Sequence, residues 1–517
     1  MMNTAHAGHM LERARWAAAT YATYDAAAVA AIVQAVAEAG YENAQRYADW
    51  AVSETGMGVV EHKLRKNRAC SRGLVEHYHG EDFVSPRVDT ANKVVELPTP
   101  AGVVFALTPT TNPVATVYFK TLLSLMTRNA VVIAPHPRAQ ECSAHAAHTL
   151  AAAAVAAGAP DGIVQVVTEP SLPLVEGLMA DERTDVIIAT GGTGVVRAAY
   201  SSGNPALGVG PGNVPVFVDA TGDLSAAAGR IVDSKAFDNS LLCTNESVLI
   251  AEETIADRLE RELTHAGAYV LDPETTNRLR DYMFPDGHLN TEVVGQSAAW
   301  IAERAGFRVT PKTKLLVAPF DLVLPEESLT HEKLSPVIGM VRVADARRGI
   351  NAARAVTRIA GAGHSAAIHS ENPATIMDFA ARVPVLRVSV NVGNSTGSAG
   401  LDTNLAPSMT IGTGFAGRSS VGENLEPKHL LNWTRIAHNA DAAVPMGAFT
   451  GLNPWRHHDG PTPPYPAPSN NRIDVQVPPV EAVPGAAGQR TSGGNNDQIR
   501  AELRRIVVEE LSQLIKR

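Results

Sequence analysis

Residues 103–135 read VVFALTPTTNPVATVYFKTLLSLMTRNAVVIAP. Two short apolar runs, VVFALT and AVVIAP, enclose a segment of helical length, and each run stops at a Thr or a Pro. The same texture recurs in GIVQVV, DVIIATGG and VPVFVDA, with Ala-rich segments of helical length between the runs. Continuous Val/Ile runs alternating with helices point to a parallel sheet buried on both faces. An open α/β sheet of this kind binds ligands in the crevice beyond the carboxyl ends of its strands.

Outward from this stretch the chain divides by composition. Residues 11–80 are Ala-rich, with the spacing of amphipathic helices. Together with the sheet they make a first domain over 1–233, to which 416–450 is expected to return. A second α/β stretch, 234–415, follows. Residues 451–496 are rich in Pro, Gly and Asn and read as a linker. The last segment, DQIRAELRRIVVEELSQLIKR (497–517), places Ile499, Leu503, Ile506, Val507, Leu511, Leu514 and Ile515 on one helical stripe. Such a helix is marginal alone and needs a surface to cover it, either a partner's, its own domain's or its own copy.

Composition excludes several function classes. The net charge of −9 over 517 residues argues against a general nucleic-acid binder, which needs a basic face. No run of about 18 apolar residues spans a membrane. The N-terminus, MMNTAHAGHMLERARW, lacks the basic-then-apolar plan of a secretory signal, so a cytoplasmic protein is expected. Three cysteines, Cys70, Cys142 and Cys243, make no disulfide framework and no zinc motif, and His457-His458 has no third ligand beside it. We therefore expect no metal site.

Three segments carry chemistry. In KAFDNSLLCTNESVLI, the Cys243 thiolate could attack a carbonyl carbon and pass through a thioester. Taken alone, the same cysteine reads as a small core residue. Asn112 stands just past a strand end, where a side-chain amide suits a developing oxyanion, or simply a turn before Pro113. ATGGTGVVRAAY sets Gly191, Gly192, Thr193 and Gly194 between a strand and a helix. That turn suits a phosphate, or a tight βα connection with no ligand. Gly412-Thr-Gly-Phe-Ala-Gly417 also fits GxGxxG, but it lies late in the chain and lacks the acid wanted about 20 residues on.

These segments together resemble the CoA-acylating branch of the aldehyde dehydrogenase superfamily, including the enzymes of bacterial microcompartments. The matching stretches are TPTTNPVATVYFK, NAVVIAPHPRA, ATGGTGVVRAAYSSGNPALGVGPGNVPVFVD, FDNSLLCTNESVLI, HEKLSPVIGMVR, NLAPSMTIGTG and VGENLEPKHLLN. They run in family order from Thr108 to Asn432. The resemblance implies an aldehyde dehydrogenase-like fold, with a Rossmann-type cofactor domain and an α/β catalytic domain. It makes Cys243 the catalytic thiol and Asn112, with the Cys243 N–H, the oxyanion hole. Thr108, Pro135, His136, Arg138, Gly191, Gly192, Thr193, Gly194 and Glu332 fall on cofactor-binding positions. His136 stands in a segment where hydrolytic relatives place a Lys, which leaves NAD and NADP both open. His429 and Thr413 are candidate contacts for CoA or substrate, and a purely structural His429 fits as well.

One absence is informative. Hydrolytic relatives carry a water-activating Glu where this chain has Gly208, and glycine cannot act as a base. The resemblance therefore implies NAD and coenzyme A, a short aldehyde such as propanal or acetaldehyde, and an acyl-CoA product. A sulfoacetaldehyde-type acylating enzyme, a hydrolytic enzyme with another base, and a silent cargo subunit are the alternatives. The resemblance also implies a homo-oligomer. Residues 497–517 resemble an encapsulation peptide, which would place the enzyme in a microcompartment lumen against a shell protein. No alcohol dehydrogenase activity is expected.

Overall fold

The computed structural model describes residues 3–458, 462, 464 and 465. Two parallel sheets organise them. The first runs Val164–Val166, Ala130–Pro135, Val103–Thr108, Val186–Ala189, Ala206–Gly208 in spatial order. Its central strands 103–108 and 130–135 are buried at every position, as continuous apolar runs require. The chain leaves strand 103–108 toward 130–135 and returns on its other side with 186–189. That reversal opens a crevice beyond Thr108 and Ala189.

The second sheet has seven parallel strands. Their order is Ala268–Val270, Leu315–Pro319, Val337–Val343, Glu246–Glu252, Val214–Val218, Ala366–His369 and Val388–Val390. Apolar clusters cover both faces, one around Phe217, Ile250 and Phe379, the other around Ile231, Leu249 and Leu315. The boundary expected at residue 233 moves as a result. Val214–Val218 hydrogen-bonds to strands 246–252 and 366–369, so the second sheet begins before helix Leu224–Ala236. The run VPVFV looks the same in either sheet; only long-range pairing decides it.

A small antiparallel sheet joins Arg87–Asp89, Val94–Pro100 and Leu431–Ala437. Helices between Asn3 and His77 pack with the five-stranded sheet in one core that also takes in Val421, Leu425 and Leu430. The segment 451–458, expected as the start of a linker, docks on this body. Arg456 bridges to Tyr24, and the Trp455 indole donates to Val84 O at 2.7 Å beneath the Arg128 guanidinium. The expected helix 497–517 and most of the expected linker lie outside the described residues. Among the described residues no helix is long and apolar enough to cross a membrane.

Candidate active site

A cavity of about 720 Å³ is lined from both sheets. From the five-stranded sheet come the carboxyl ends: Thr108 to Asn112, Pro135 with His136, and Thr190 to Thr193. From the seven-stranded sheet come residues just before the amino ends of three strands: Gly212, Cys243 and Glu332.

The turn between strand 186–189 and helix Thr193–Ser201 is bare. Gly192 is the N-cap and has no side-chain cap, so the first helical N–H groups are left for another partner. A Cβ added at Gly192 or Gly194 would meet nothing within 4 Å, and one at Gly191 would touch only Val195. None of the three has backbone in the left-handed region. Neither backbone nor packing therefore requires glycine here. The open space and uncapped helix start are of the kind that fits the pyrophosphate of a dinucleotide.

The cysteine loop is built in the opposite way. After helix 224–236 the chain passes through Asp238, Asn239 and Ser240 at φ 50°, 49° and 68°. Three consecutive left-handed non-glycine residues cost about 1 kcal/mol or more each, so surrounding contacts must hold them. Asn239 donates to Gly295 O at 2.9 Å, and Asp238 N donates to His62 Nδ1 at 2.8 Å. Beyond the thiol, Thr244 donates to Ser395 O at 2.6 Å and Asn245 to Leu242 O at 2.6 Å. Gly212 lets this loop come close: a Cβ there would lie 2.0 Å from Cys243 O.

Cys243 is half-buried. Burial first, then the Glu332 carboxylate, pushes its thiol up to about 12; Arg387 opposes this. Burial likewise raises Glu332 to about 8, against the pull of Lys235 and Lys333. The resting site thus holds a neutral thiol, which must lose its proton during reaction.

Asn112 caps helix Pro113–Met126, yet its side chain makes no cap hydrogen bond. An N-cap Asn ordinarily turns onto the first amides of its helix. Here Lys66 Nζ donates to Oδ1, while Nδ2 donates to Thr111 Oγ1 at 3.2 Å and Leu241 O at 3.4 Å. The amide nitrogen is therefore on the side of the cysteine loop.

Gly208 ends a strand behind this wall. A Cβ there would lie 2.8 Å from both Val196 and the Tyr200 ring, and the Tyr200 hydroxyl accepts from Gly208 N at 2.9 Å. Tyr200 occupies the space a longer side chain would need.

Thr108, Asn112, Pro135, His136, Gly191, Gly192, Thr193, Cys243 and Glu332 all line the one cavity. Gly194 and Arg138 stand just outside, with Arg138 exposed and its N–H donating to His136 Nδ1 at 3.1 Å. Thr413 is buried behind Gly210 and donates to Gly417 O, so it does not reach the cavity. His429 is not brought there either. Its Nδ1 accepts from Glu426 N at 2.9 Å in a capping box, and its Nε2 meets Glu423 at 3.0 Å. The Gly412–Gly417 motif leads only into the short turn Phe415–Gly417, not a helix. His457 meets Asp25, His458 stacks on Tyr24, and among the described residues no cluster of three or more potential metal ligands occurs.

A model of the aldehyde dehydrogenase family matches residues 1–274, more than half of the chain. The succinate-semialdehyde dehydrogenase (acetylating) of Clostridium kluyveri is 36% identical over 448 residues, covering 86% of this chain and 98% of that protein. The chain belongs to the aldehyde dehydrogenase family. The bifunctional aldehyde-alcohol dehydrogenase of Escherichia coli is 36% identical over 446 residues, covering 85% of this family member but 50% of the bifunctional enzyme. The chain thus spans about half the length of the bifunctional curated relatives it matches. An acetylating aldehyde dehydrogenase from Geobacillus thermoglucosidasius superposes with a TM-score of 0.83 at 37% identity, covering 84% of this chain and 97% of that one. Two propionaldehyde dehydrogenases follow at 28% identity, each covering 84% and 97%. The enzyme of a Clostridium phytofermentans fucose utilisation microcompartment has a TM-score of 0.76, and that of Rhodopseudomonas palustris, with bound CoA and an acylated cysteine, 0.75.

Sequence reasoning missed Gly212, Tyr200 and the cluster Lys63, Lys66 and Asp238. Within VVEHKLRKNR the lysines look like a solvated basic face, and only their spacing of three, one side of a helix, hinted otherwise.

Proposed function

We propose that this chain is a CoA-acylating aldehyde dehydrogenase that converts a short aldehyde, with NAD and coenzyme A, to an acyl-CoA through an acyl-Cys243 thioester. One observation carries the proposal. Cys243 and Asn112 share a cavity with a bare glycine turn, while at Gly208, where the resemblance would put the water-activating base, Tyr200 fills the space of a longer side chain.

The residues divide the work. The Cys243 thiol gives its proton to solvent, its sulfur attacks the carbonyl carbon, and the carbonyl oxygen becomes an alkoxide. The Asn112 Nδ2 and the Cys243 N–H donate to that oxygen. Glu332 would hold the ribose, and the glycine turn the pyrophosphate, of a nicotinamide cofactor, which when bound would accept the hydride that leaves the former carbonyl carbon. Reforming the carbonyl leaves a thioester on Cys243. With no carboxylate at 208 to activate water, that thioester persists until the thiol of coenzyme A takes the acyl group. Asn112 donates again in this second exchange. His136 beyond strand 130–135, with Arg138 behind it, leaves NADP as a second usable cofactor.

The cavity favours no particular aldehyde. Propanal is our choice because two similar structures are propionaldehyde dehydrogenases. A sulfoacetaldehyde substrate is the second reading, motivated by a 35% identical sulfoacetaldehyde dehydrogenase (acylating) from Cupriavidus necator. Purified protein given propanal and NAD should form NADH continuously only when CoA is present, with propionyl-CoA as product. Sustained turnover without CoA would mean that water is the acceptor and would sink the proposal.

The proposal extends to location. The apolar stripe over 497–517 suits a shell protein, and one similar structure comes from a microcompartment enzyme. Removing 497–517 should leave turnover intact and abolish co-purification with shell proteins. Undiminished co-purification would refute this extension.

A further inference from the structure

We propose that Lys66 is a positioning residue of the acyl-transfer site, holding the Asn112 amide with its nitrogen on the side of the Cys243 loop; the inference rests on the roles proposed above for Cys243 and Asn112. Lys63 and Lys66 lie three apart on helix Val60–Ala69 and are 3% and 1% exposed. Long cationic side chains normally extend to water. These two turn inward onto one carboxylate, Asp238, which also accepts from Val59 N at 2.7 Å. Burial works against the Asp238 carboxylate, but the two lysines outweigh it and keep it ionised. Two cations on one anion leave a donor over at each lysine. Lys63 gives its to Thr111 O at 3.1 Å, and Lys66 gives its to Asn112 Oδ1.

The chemistry of that contact decides the amide's orientation. An ammonium has donors only. The Asn112 oxygen must therefore face Lys66, and the nitrogen must face the opposite side, where Leu241 and the cysteine loop lie. Without Lys66 the amide could turn over and present oxygen to a developing oxyanion. Asp238 couples the two halves of the device. It fixes Lys66, and it is itself the first of the three left-handed residues that lead to the thiol. Replacing Lys66 by Met removes the surplus cation and leaves Lys63 and Asp238 as a balanced pair.

The test uses the full chain and p-nitrophenyl acetate, which acylates a thiol through an oxyanion without nucleotide or CoA. Failure of the CoA-dependent reaction would therefore not obscure it. Lys66→Met should slow acylation of Cys243 and lower kcat for propanal about 30-fold, with KM within about twofold. Alkylation by iodoacetamide, which forms no oxyanion, should change less than about twofold. In an Asn112→Ala background the same substitution should cost nothing more. Lys66→Arg, also donor-only, should return acylation to within about fivefold of the parent. Multiplying losses in the double variant would overturn the proposal. So would equal slowing of alkylation and acylation, or a Lys66→Arg protein that folds and acylates no faster than Lys66→Met.

Discussion

The two edges that meet at the cavity are built on opposite principles. The carboxyl edge of the five-stranded sheet offers backbone and empty space: a Cβ at Gly192 or Gly194 would meet nothing within 4 Å, and the helix start has no side-chain cap. The amino edge of the seven-stranded sheet is packed and strained. Gly212 is in near-contact with the Cys243 carbonyl, and of the left-handed residues 238–240, Asp238 and Asn239 are held by partners far away in sequence. An exchangeable cofactor needs a surface it can leave, so an open turn serves. A nucleophile must meet its oxyanion donors with little freedom, so its loop is over-determined. The comparison also shows the limit of a fold rule. Ligands of open α/β sheets lie at carboxyl ends, yet the thiol and Glu332 here precede the amino ends of their strands.

If the contrast is right, damage at the packed edge should affect chemistry and damage at the open edge should affect binding. Cys243→Ala should abolish aldehyde oxidation while nucleotide binding, followed by fluorescence quenching, stays within about twofold. The pH dependence of the thiol is next in size. Its pKa is raised, so the neutral form dominates and each pH unit upward multiplies the thiolate about tenfold. Alkylation by iodoacetamide should rise about 1,000-fold from pH 7 to 10 without a plateau, whereas a free thiol would level off near pH 9. Asn112 stands on the carboxyl edge but its amide turns to Leu241 of the cysteine loop, so it should behave with the packed edge: Asn112→Ala should lower kcat about 100- to 1,000-fold with little change in KM. Gly212→Ala forces the loops apart and should cost about 1–3 kcal/mol of stability by thermal unfolding, together with about 100-fold in kcat. Gly192→Ala should be the mildest. Stability should hold within about 0.5 kcal/mol, and only the KM for NAD should rise, by about three- to tenfold. Equal effects of the two glycine substitutions on kcat would break the contrast.

The open edge was legible in the sequence because local pattern suffices there. Continuous Val/Ile runs, a Thr-Gly-Gly-Thr-Gly turn and a following helix are all read within about 20 residues. The packed edge was legible only at its chemistry-bearing points, Cys243 and Glu332, and these, like Asn112 on the facing edge, were assigned through resemblance. What holds them was not. Lys63 and Lys66 meet Asp238 across 175 and 172 residues, so nothing local distinguishes them from surface lysines. The glycine at 208 could be read as a missing base, but Tyr200 filling its space could not. The strand 214–218 fell on the wrong side of a boundary for the same reason: its partners, 246–252 and 366–369, lie downstream. Trp455 sits in a stretch with the composition of a linker, yet its half-buried indole, with the Arg456 bridge to Tyr24, docks that stretch on the body.

The central claim is that a thioester forms on Cys243 and that the site has no means of giving it to water. Mass spectrometry of the whole protein tests this directly, after mixing with propanal and NAD but no CoA. The account predicts one propionyl group per chain on the peptide containing Cys243, stable for minutes and lost at once as propionyl-CoA when CoA is added. Propionate accumulating with an unmodified Cys243 would contradict it.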